Sequence, residues 1–179
     1  MNHGKKEHLT DFQKTVTGEY IYCGSLYIFQ GSTAQWKALM VRLSVLAAIC
    51  VGAELVCGCI AAPGSFRCAY VLLPTVGALL SGISLAWGLV RLLSGGMQLR
   101  RYIYDATVAR FSLRTGLTAG FSAAAIAGEL VYVARHGTQS LLSGMVIFLL
   151  CQAAAFGCAL LWRRYATAAN WRPTEPRPS

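Results

Sequence analysis

The strongest constraint in this sequence is a set of four long stretches that contain almost no charged residues. Only 13% of the 179 residues are charged, about half of the fraction that is usual in soluble domains. A run of about 20 apolar residues, wound as a helix, matches the hydrocarbon core of a bilayer and satisfies its own backbone groups there. The sequence therefore predicts an all-α polytopic membrane protein with four transmembrane helices. The stretches are Leu43–Phe66, Cys68–Val90, Thr115–Ala134 and Gly137–Trp162.

Basic residues predict how the chain is oriented in the membrane. They cluster in the N-terminal segment, the middle connection and the C-terminal tail, whereas the other two connections contain only Arg67 and Arg135. Because basic segments stay on the inner side, we expect both termini and the middle connection to be cytoplasmic, in a bacterial cytoplasmic membrane. The net charge of +9 then reflects topology and attraction to anionic headgroups. The lipid bilayer is therefore the expected partner, and nucleic acid is not.

Three regions are predicted along the chain. Residues 1–31 form a cytoplasmic arm, in which EYIYCGSLYIFQG predicts a short aromatic hairpin around Gly24 and Ser25, although its aromatic rings also suit the headgroup level. Residues 32–165 form the transmembrane domain, and the proline-rich residues 166–179 are predicted to be a disordered cytoplasmic tail. The predicted helices span about 33–61, 68–93, 106–135 and 140–164.

A duplicated motif lies inside the apolar stretches. GAELV contains Glu54 and AGELV contains Glu129, 75 residues later, and the same shift without a gap aligns Trp87 with Trp162. The pattern predicts two tandem helical hairpins. Because each hairpin crosses the membrane twice, the copies are parallel repeats, related by an axis along the membrane normal. The two glutamates are then expected at a similar depth in the outward-facing half.

These two glutamates are the candidate site residues. An ionised carboxylate is costly in hydrocarbon, so each should face the bundle interior and take up a proton or find a partner. Gln152, in the middle of the fourth helix, is a candidate partner, and Ser122 makes the face two turns before Glu129 mildly polar. Two hypotheses stay open. Either Glu54 and Glu129 line a common cavity that binds protons or a cationic substrate, or they only fix helix packing.

Small residues recur at every fourth position along the third helix. Such a ridge is typical of helices that approach one another closely, so the pattern predicts a helix-packing face. The residues are Gly116, Gly120, Ala124 and Gly128.

The sequence has little that points to catalysis or metal binding. The seven cysteines include Cys57, Cys59 and Cys68, which suit a metal or a disulfide near the outer surface. However, no histidine or Cys-x-x-Cys pair completes a familiar ligand set, and small apolar packing is the favoured interpretation. No Ser-His-Asp set or paired acidic motif is present either. We therefore predict no metal, no cofactor and no enzymatic activity.

The order YIYCG, an aromatic stretch, a first helix, CAYVLLP and a repeated hairpin resembles small uncharacterised four-helix membrane proteins of Gram-positive anaerobes, over residues 20 to 134. The resemblance implies a four-helix membrane fold and supplies no site residues. Taken together, the sequence favours a non-enzymatic accessory or scaffold subunit of a membrane complex. The alternative is a small proton- or cation-coupled transporter, working as a homo-oligomer, that uses Glu54 and Glu129.

Overall fold

Four long helices make up most of the chain. The computed structural model describes residues 12–14, 20–22, 25–60, 62–65, 67–137 and 142–174. Four helices in this part of the chain are long and apolar enough to cross a membrane, since about 27 residues span about 40 Å and the hydrocarbon core about 30 Å. The prediction of a multi-pass, helical membrane protein is therefore confirmed. The helices are α1 (Thr33–Cys59), α2 (Ala69–Gly95), the short α3 (Arg101–Ala106), α4 (Val108–His136) and α5 (Leu142–Ala168).

The long helices pack as a ring, in which α1 and α4 each lie between α2 and α5. Each of the four long helices buries one stripe and leaves large apolar side chains on the opposite face, which is the arrangement expected of a surface in contact with lipid. Leu80 and Leu150, for example, are 62% and 65% exposed. The core is consequently narrow, and few side chains reach its centre.

Helix boundaries have local causes. At the start of α1 the Ser32 hydroxyl accepts from the Gln35 amide, and the Gln35 side chain accepts from the Ser32 amide, which makes a capping box. Near the start of α2, Pro74 has no amide hydrogen, so the Tyr70 carbonyl lacks its usual helical partner. At the end of α2, Gly96 has a φ of 68°, a left-handed conformation that favours glycine.

The N-terminal segment does not fold into the predicted hairpin around Gly24 and Ser25. Strand β1 (Phe12–Lys14) pairs antiparallel with β2 (Tyr20–Tyr22), whereas β3 (Leu26–Phe29) pairs with strands from elsewhere in the chain on both of its edges. Because both edges of β3 are occupied, it cannot also pair with β2. Gly24 itself lies outside the described residues.

The second sheet joins three distant segments. Its order is β4-β3-β5, all antiparallel, where β4 is Gln98–Arg100 and β5 is Trp171–Thr174. The prediction of a disordered tail over 166–179 is therefore wrong for 166–174, because α5 continues to Ala168 and β5 follows. The strand that pairs with β5 is β3, near the other end of the chain, and local composition does not reveal such a distant partner. Residues 175–179 lie outside the described part.

Aromatic rings fasten this sheet to the helices. The rings of Tyr27 and Tyr104 stack with centroids 3.9 Å apart, and the Trp36 ring lies 5.4 Å from Phe29 and 5.7 Å from Trp171. These are favourable aromatic distances. We call this end of the bundle, which carries β3, β4 and β5, the sheet end. The other end, with the connections that follow α1 and α4, is the loop end.

The ungapped 75-residue alignment is wrong for α2 and α5. Trp87 is 63% exposed on α2, whereas its aligned residue Trp162 is only 1% exposed on α5. Equivalent positions of a structural repeat should have similar environments, and here they lie on opposite faces. An alignment without a gap makes no allowance for connections of different length.

Three of the four residues of the predicted packing ridge do not face another helix of this bundle. Gly116, Gly120 and Ala124 lie on the exposed face of α4. Only Gly128 makes a tight contact: a Cβ atom there would lie 2.7 Å from the carbonyl oxygen of Tyr70 on α2. A four-residue period identifies one face of a helix, but it does not tell what that face contacts.

Replacing Gly128 with alanine is expected to lower the Tm, because the Cβ atom would meet the Tyr70 carbonyl and overpacking costs about 1–3 kcal/mol. Gly120→Ala is the control, since nothing lies within 4 Å of a Cβ atom there and alanine favours a helix over glycine by about 0.5–1 kcal/mol. Thermal unfolding in detergent, followed by circular dichroism, compares the two variants. Equal Tm values would contradict the contact between α2 and α4.

Candidate functional site

A buried polar cluster joins three helices at Glu54. Its side chain is 1% exposed and lies on the buried stripe of α1. One carboxylate oxygen accepts a hydrogen bond from Nε2 of Gln152 on α5 at 2.9 Å, and the other accepts from Oγ of Ser122 on α4 at 3.4 Å. Three of the four residues proposed from the sequence for ion binding are therefore brought together.

Neither partner of Glu54 is positively charged. The part of the chain that the structure describes contains one salt bridge, between Arg101 and Asp105 at 3.9 Å, and it lies at the sheet end. A hydrogen bond between protein groups contributes about 1 kcal/mol net, and up to about 3 kcal/mol when one group is charged. The desolvation penalty of an ion in a protein interior is several kcal/mol. Two neutral donors, one of them at 3.4 Å, offset only part of this penalty for a bare charge on Glu54, and a proton or a cation would complete the cluster.

The amide of Gln152 also has an unsatisfied oxygen. Gln152 is fully buried, and its Oε1 atom has no hydrogen-bond partner. Buried polar atoms normally have one, so an exception calls for an explanation. The two ends of an amide have nearly the same size. If the amide turned over, Oε1 would face the carboxyl group of Glu54 at the same 2.9 Å distance, and a hydrogen bond would then require a proton on Glu54.

Glu129 occupies a different site. It is fully buried on α4, and its two carboxylate oxygens accept from the backbone amide of Gly64 at 3.2 and 3.3 Å. Gly64 belongs to the connection between α1 and α2. A Cβ atom at this position would lie 2.6 Å from Glu129 Oε2, so glycine permits the contact. Glu129 therefore holds this connection against α4.

The structure does not join the two glutamates through a shared partner. Ser122, which bonds to Glu54, precedes Glu129 on α4 by seven residues, or about 10 Å along the helix. Glu54 is hydrogen-bonded within an interhelical cluster, whereas Glu129 is hydrogen-bonded to a connecting segment. Gly64 was missed in the sequence because Pro63-Gly64 reads there only as the end of a helix.

Two buried thiols lie near the Glu54 cluster. Cys57 donates weakly to the carbonyl of Phe148 at 3.7 Å, and Cys50 is buried one turn before Glu54. Across the described ranges, no group of three or more His, Cys, Asp or Glu side chains is placed to hold a metal ion. The described cysteines are free, and Cys23 lies outside those ranges.

Comparisons with protein-family models, with curated proteins and with solved structures find no match to this chain. The fold and the site therefore define its class on their own. It is a multi-pass membrane protein with an acidic side chain hydrogen-bonded between three of its helices. The resemblance to four-helix proteins of Gram-positive anaerobes stays a prediction, as does the absence of enzymatic activity.

Replacing Glu129 with leucine is expected to speed hydrogen exchange in the connection that contains Gly64. Removing the acceptor leaves the Gly64 amide unpaired, which costs about 1–3 kcal/mol. If this cost makes local opening of the connection easier, its amides should exchange about tenfold faster or more. Mass spectrometry of peptides from this connection measures the rate. Glu129→Gln keeps an acceptor and should stay closer to the wild type. Glu54→Gln is the second control, and an equal acceleration there would show that the two sites are not separate.

Proposed function

We propose that this chain is a small proton- or cation-coupled carrier whose coupling site is Glu54. The observation that supports this most is the unsatisfied Oε1 atom of Gln152 beside a carboxylate with only neutral donors. A cluster that served packing alone gains nothing from an unsatisfied buried oxygen, because a half-satisfied buried network is less stable than an apolar core. This geometry shifts the preference away from the scaffold function that the sequence favoured.

The site can exchange its ligands with balanced charge. When Glu54 is protonated, its hydroxyl donates to Oε1 of the turned amide of Gln152. When the proton leaves, the carboxylate and the same Oε1 atom are oxygen ligands for a small monovalent cation. One proton then leaves for each cation that binds. The thiols of Cys50 and Cys57 also lie within electrostatic range of Glu54, whereas Ser122 is the neutral group that faces it from α4.

The proposed orientation places the sheet end in the cytoplasm of a bacterial cell. The supporting observation is charge: among the described residues, the loop end carries only Arg67 and Arg135, while the other basic residues lie near the sheet end. Basic segments stay on the cytoplasmic side during insertion. Glu54 then lies in the outward half of α1, nearer to Cys59 than to Thr33.

We also propose that the bundle is a tandem repeat with a two-residue offset in its second half. The buried stripes of α1 and α4 coincide at a shift of 75 residues, and those of α2 and α5 coincide at 77, so the stripes of α4 and α5 are two residues further apart in the chain than those of α1 and α2. Two residues turn a helix by about 200°, which explains why the ungapped alignment paired opposite faces. The supporting buried pairs are Trp36/Phe111, Cys50/Ala125, Glu54/Glu129, Cys57/Tyr132, Val71/Phe148, Ala78/Ala155 and Leu85/Trp162.

The repeat suggests how the two acids diverged. In this register Ser122 corresponds to Ala47 and Gln152 to Thr75. Only Glu54 therefore faces both a hydroxyl and an amide from the other copy. Glu129 retains the carboxylate but bonds to a connecting segment instead.

Replacing Glu54 with glutamine is expected to reduce proton flux by about tenfold or more, because an amide cannot exchange the proton that a membrane carboxyl group carries. Purified protein is reconstituted into vesicles with an enclosed pH-sensitive dye, and an inwardly directed sodium gradient drives protons outward by one-for-one exchange. Glu129→Gln is the matched control and should keep most of the flux. Wild-type flux in Glu54→Gln would refute the proposal.

An accessory or scaffold subunit is the second candidate function. The observation that favours it is the exposed ridge of Gly116, Gly120 and Ala124 on α4, where a neighbouring helix can approach closely.

Gly120→Leu should then weaken self-association in detergent by about tenfold, as expected for a lost small-residue contact. Light scattering across protein concentrations measures the oligomeric state. Gly58→Leu, at another exposed glycine with open space around it, is the control. Unchanged association in Gly120→Leu would contradict an oligomer built on this ridge.

A further inference from the structure

The guanidinium of Arg114 crosses from α4 to α2 without a negatively charged partner. Its Nη1 atom donates to the carbonyl of Ser84 at 3.1 Å, and its Nη2 atom donates to the carbonyl of Ala106 at 3.2 Å. Gly88 makes room for it, because a Cβ atom there would lie 2.5 Å from Nη1. The backbone therefore holds this cation in place at the groove between the two helices.

Two further arginines belong to the same group of charges. Arg91 on α2 and Arg110 on α4 lie within electrostatic range of the Arg114 guanidinium, and both are exposed. Arg91 follows Gly88 by three residues and Arg110 precedes Arg114 by four. Each is thus about one turn closer to the sheet end than Arg114. Three cations therefore converge where α2 and α4 leave the membrane.

No acidic side chain in the described ranges neutralises this group. The described acids are Asp105, which pairs with Arg101, and Glu54 and Glu129, whose hydrogen bonds lie elsewhere. Three like charges repel one another. Planar guanidinium groups match the geometry of a phosphate. The arrangement is therefore complementary to a phosphate group that arrives from outside the chain.

The groove is open toward lipid on the membrane side of these arginines. Leu80 and Ile83 on α2 are 62% and 47% exposed, and Leu117 on α4 is 45% exposed. Trp87, next to Gly88, is 63% exposed, and tryptophan favours the level of the headgroups. On the membrane side of the three cations, the groove is therefore lined by apolar side chains that suit the acyl chains of a lipid.

We propose that Arg91, Arg110 and Arg114 form a binding site for the phosphate of an anionic phospholipid, whose acyl chains lie in the groove between α2 and α4. Basic pockets between transmembrane helices on the cytoplasmic side are suited to such headgroups. This site is independent of the Glu54 cluster, and neither proposal depends on the other.

Titration of the detergent-purified full chain with phosphatidylglycerol, followed by native mass spectrometry, tests the site. Each arginine of the site should strengthen binding of the anionic headgroup about five- to sixfold. The double variant Arg91→Gln/Arg110→Gln should therefore weaken the apparent Kd about thirtyfold. Arg163→Gln/Arg164→Gln removes the same charge from exposed positions on α5 and should stay within about twofold. Arg114 is left unchanged because its hydrogen bonds support the fold.

Three results would overturn the proposal. An equal loss of affinity in the two double variants would mean diffuse attraction rather than a site. Equal binding of phosphatidylcholine would remove the requirement for an anionic lipid. Inorganic phosphate that displaces phosphatidylglycerol at a similar concentration would identify free phosphate, and not a lipid, as the ligand. The far-ultraviolet circular dichroism of both double variants confirms that they are folded.

Discussion

The structure depends on the need to satisfy backbone hydrogen bonds where water is absent. In hydrocarbon an unpaired amide or carbonyl costs several kcal/mol, so the chain crosses as helices that satisfy their own backbones. Two backbone groups among the described residues depart from this pattern near the loop end. Pro74 releases the Tyr70 carbonyl, which lies against Gly128, where the absence of a Cβ atom allows close approach. The amide of Gly64, in a connection without helical partners, is taken up by Glu129.

Much of the membrane architecture could be predicted because it follows from local composition. The apolar stretches identify the four helices, and the rarity of polar residues in them singled out Glu54, Gln152 and Ser122 before any contact was known. Whether these side chains come together depends on how each helix is rotated about its own axis. Sequence periodicity gives this rotation only approximately. The ridge containing Gly120 shows the limit, since spacing alone did not reveal that this face points outward.

The sheet could not be predicted for a different reason. Strand β3 pairs with β4, some seventy positions later, and with β5 near the end of the chain. Each of these strands has only three or four residues, too few for a clear alternating pattern. Only the packing of the helices brings them together. The proposed two-residue offset between the two halves was hidden in the same way, because residues in a connection contribute no periodicity.

Contacts within the ring divide the bundle into two pairs of helices, α1 with α5 and α2 with α4. Helices α1 and α5 are joined by the bond from Gln152 to Glu54 and, at the sheet end, by the pairing of β3 with β5. Helices α2 and α4 are joined by Arg114 and by the close contact at Gly128. The bond from Ser122 to Glu54 links the two pairs and, at 3.4 Å, is the longer of the two hydrogen bonds to that carboxylate. Glu54 lies directly on the seam between the two pairs, which is also crossed at the sheet end by the pairing of β3 with β4. In the proposed carrier, a proton on Glu54 therefore has a physical means of influencing how the two pairs are held together.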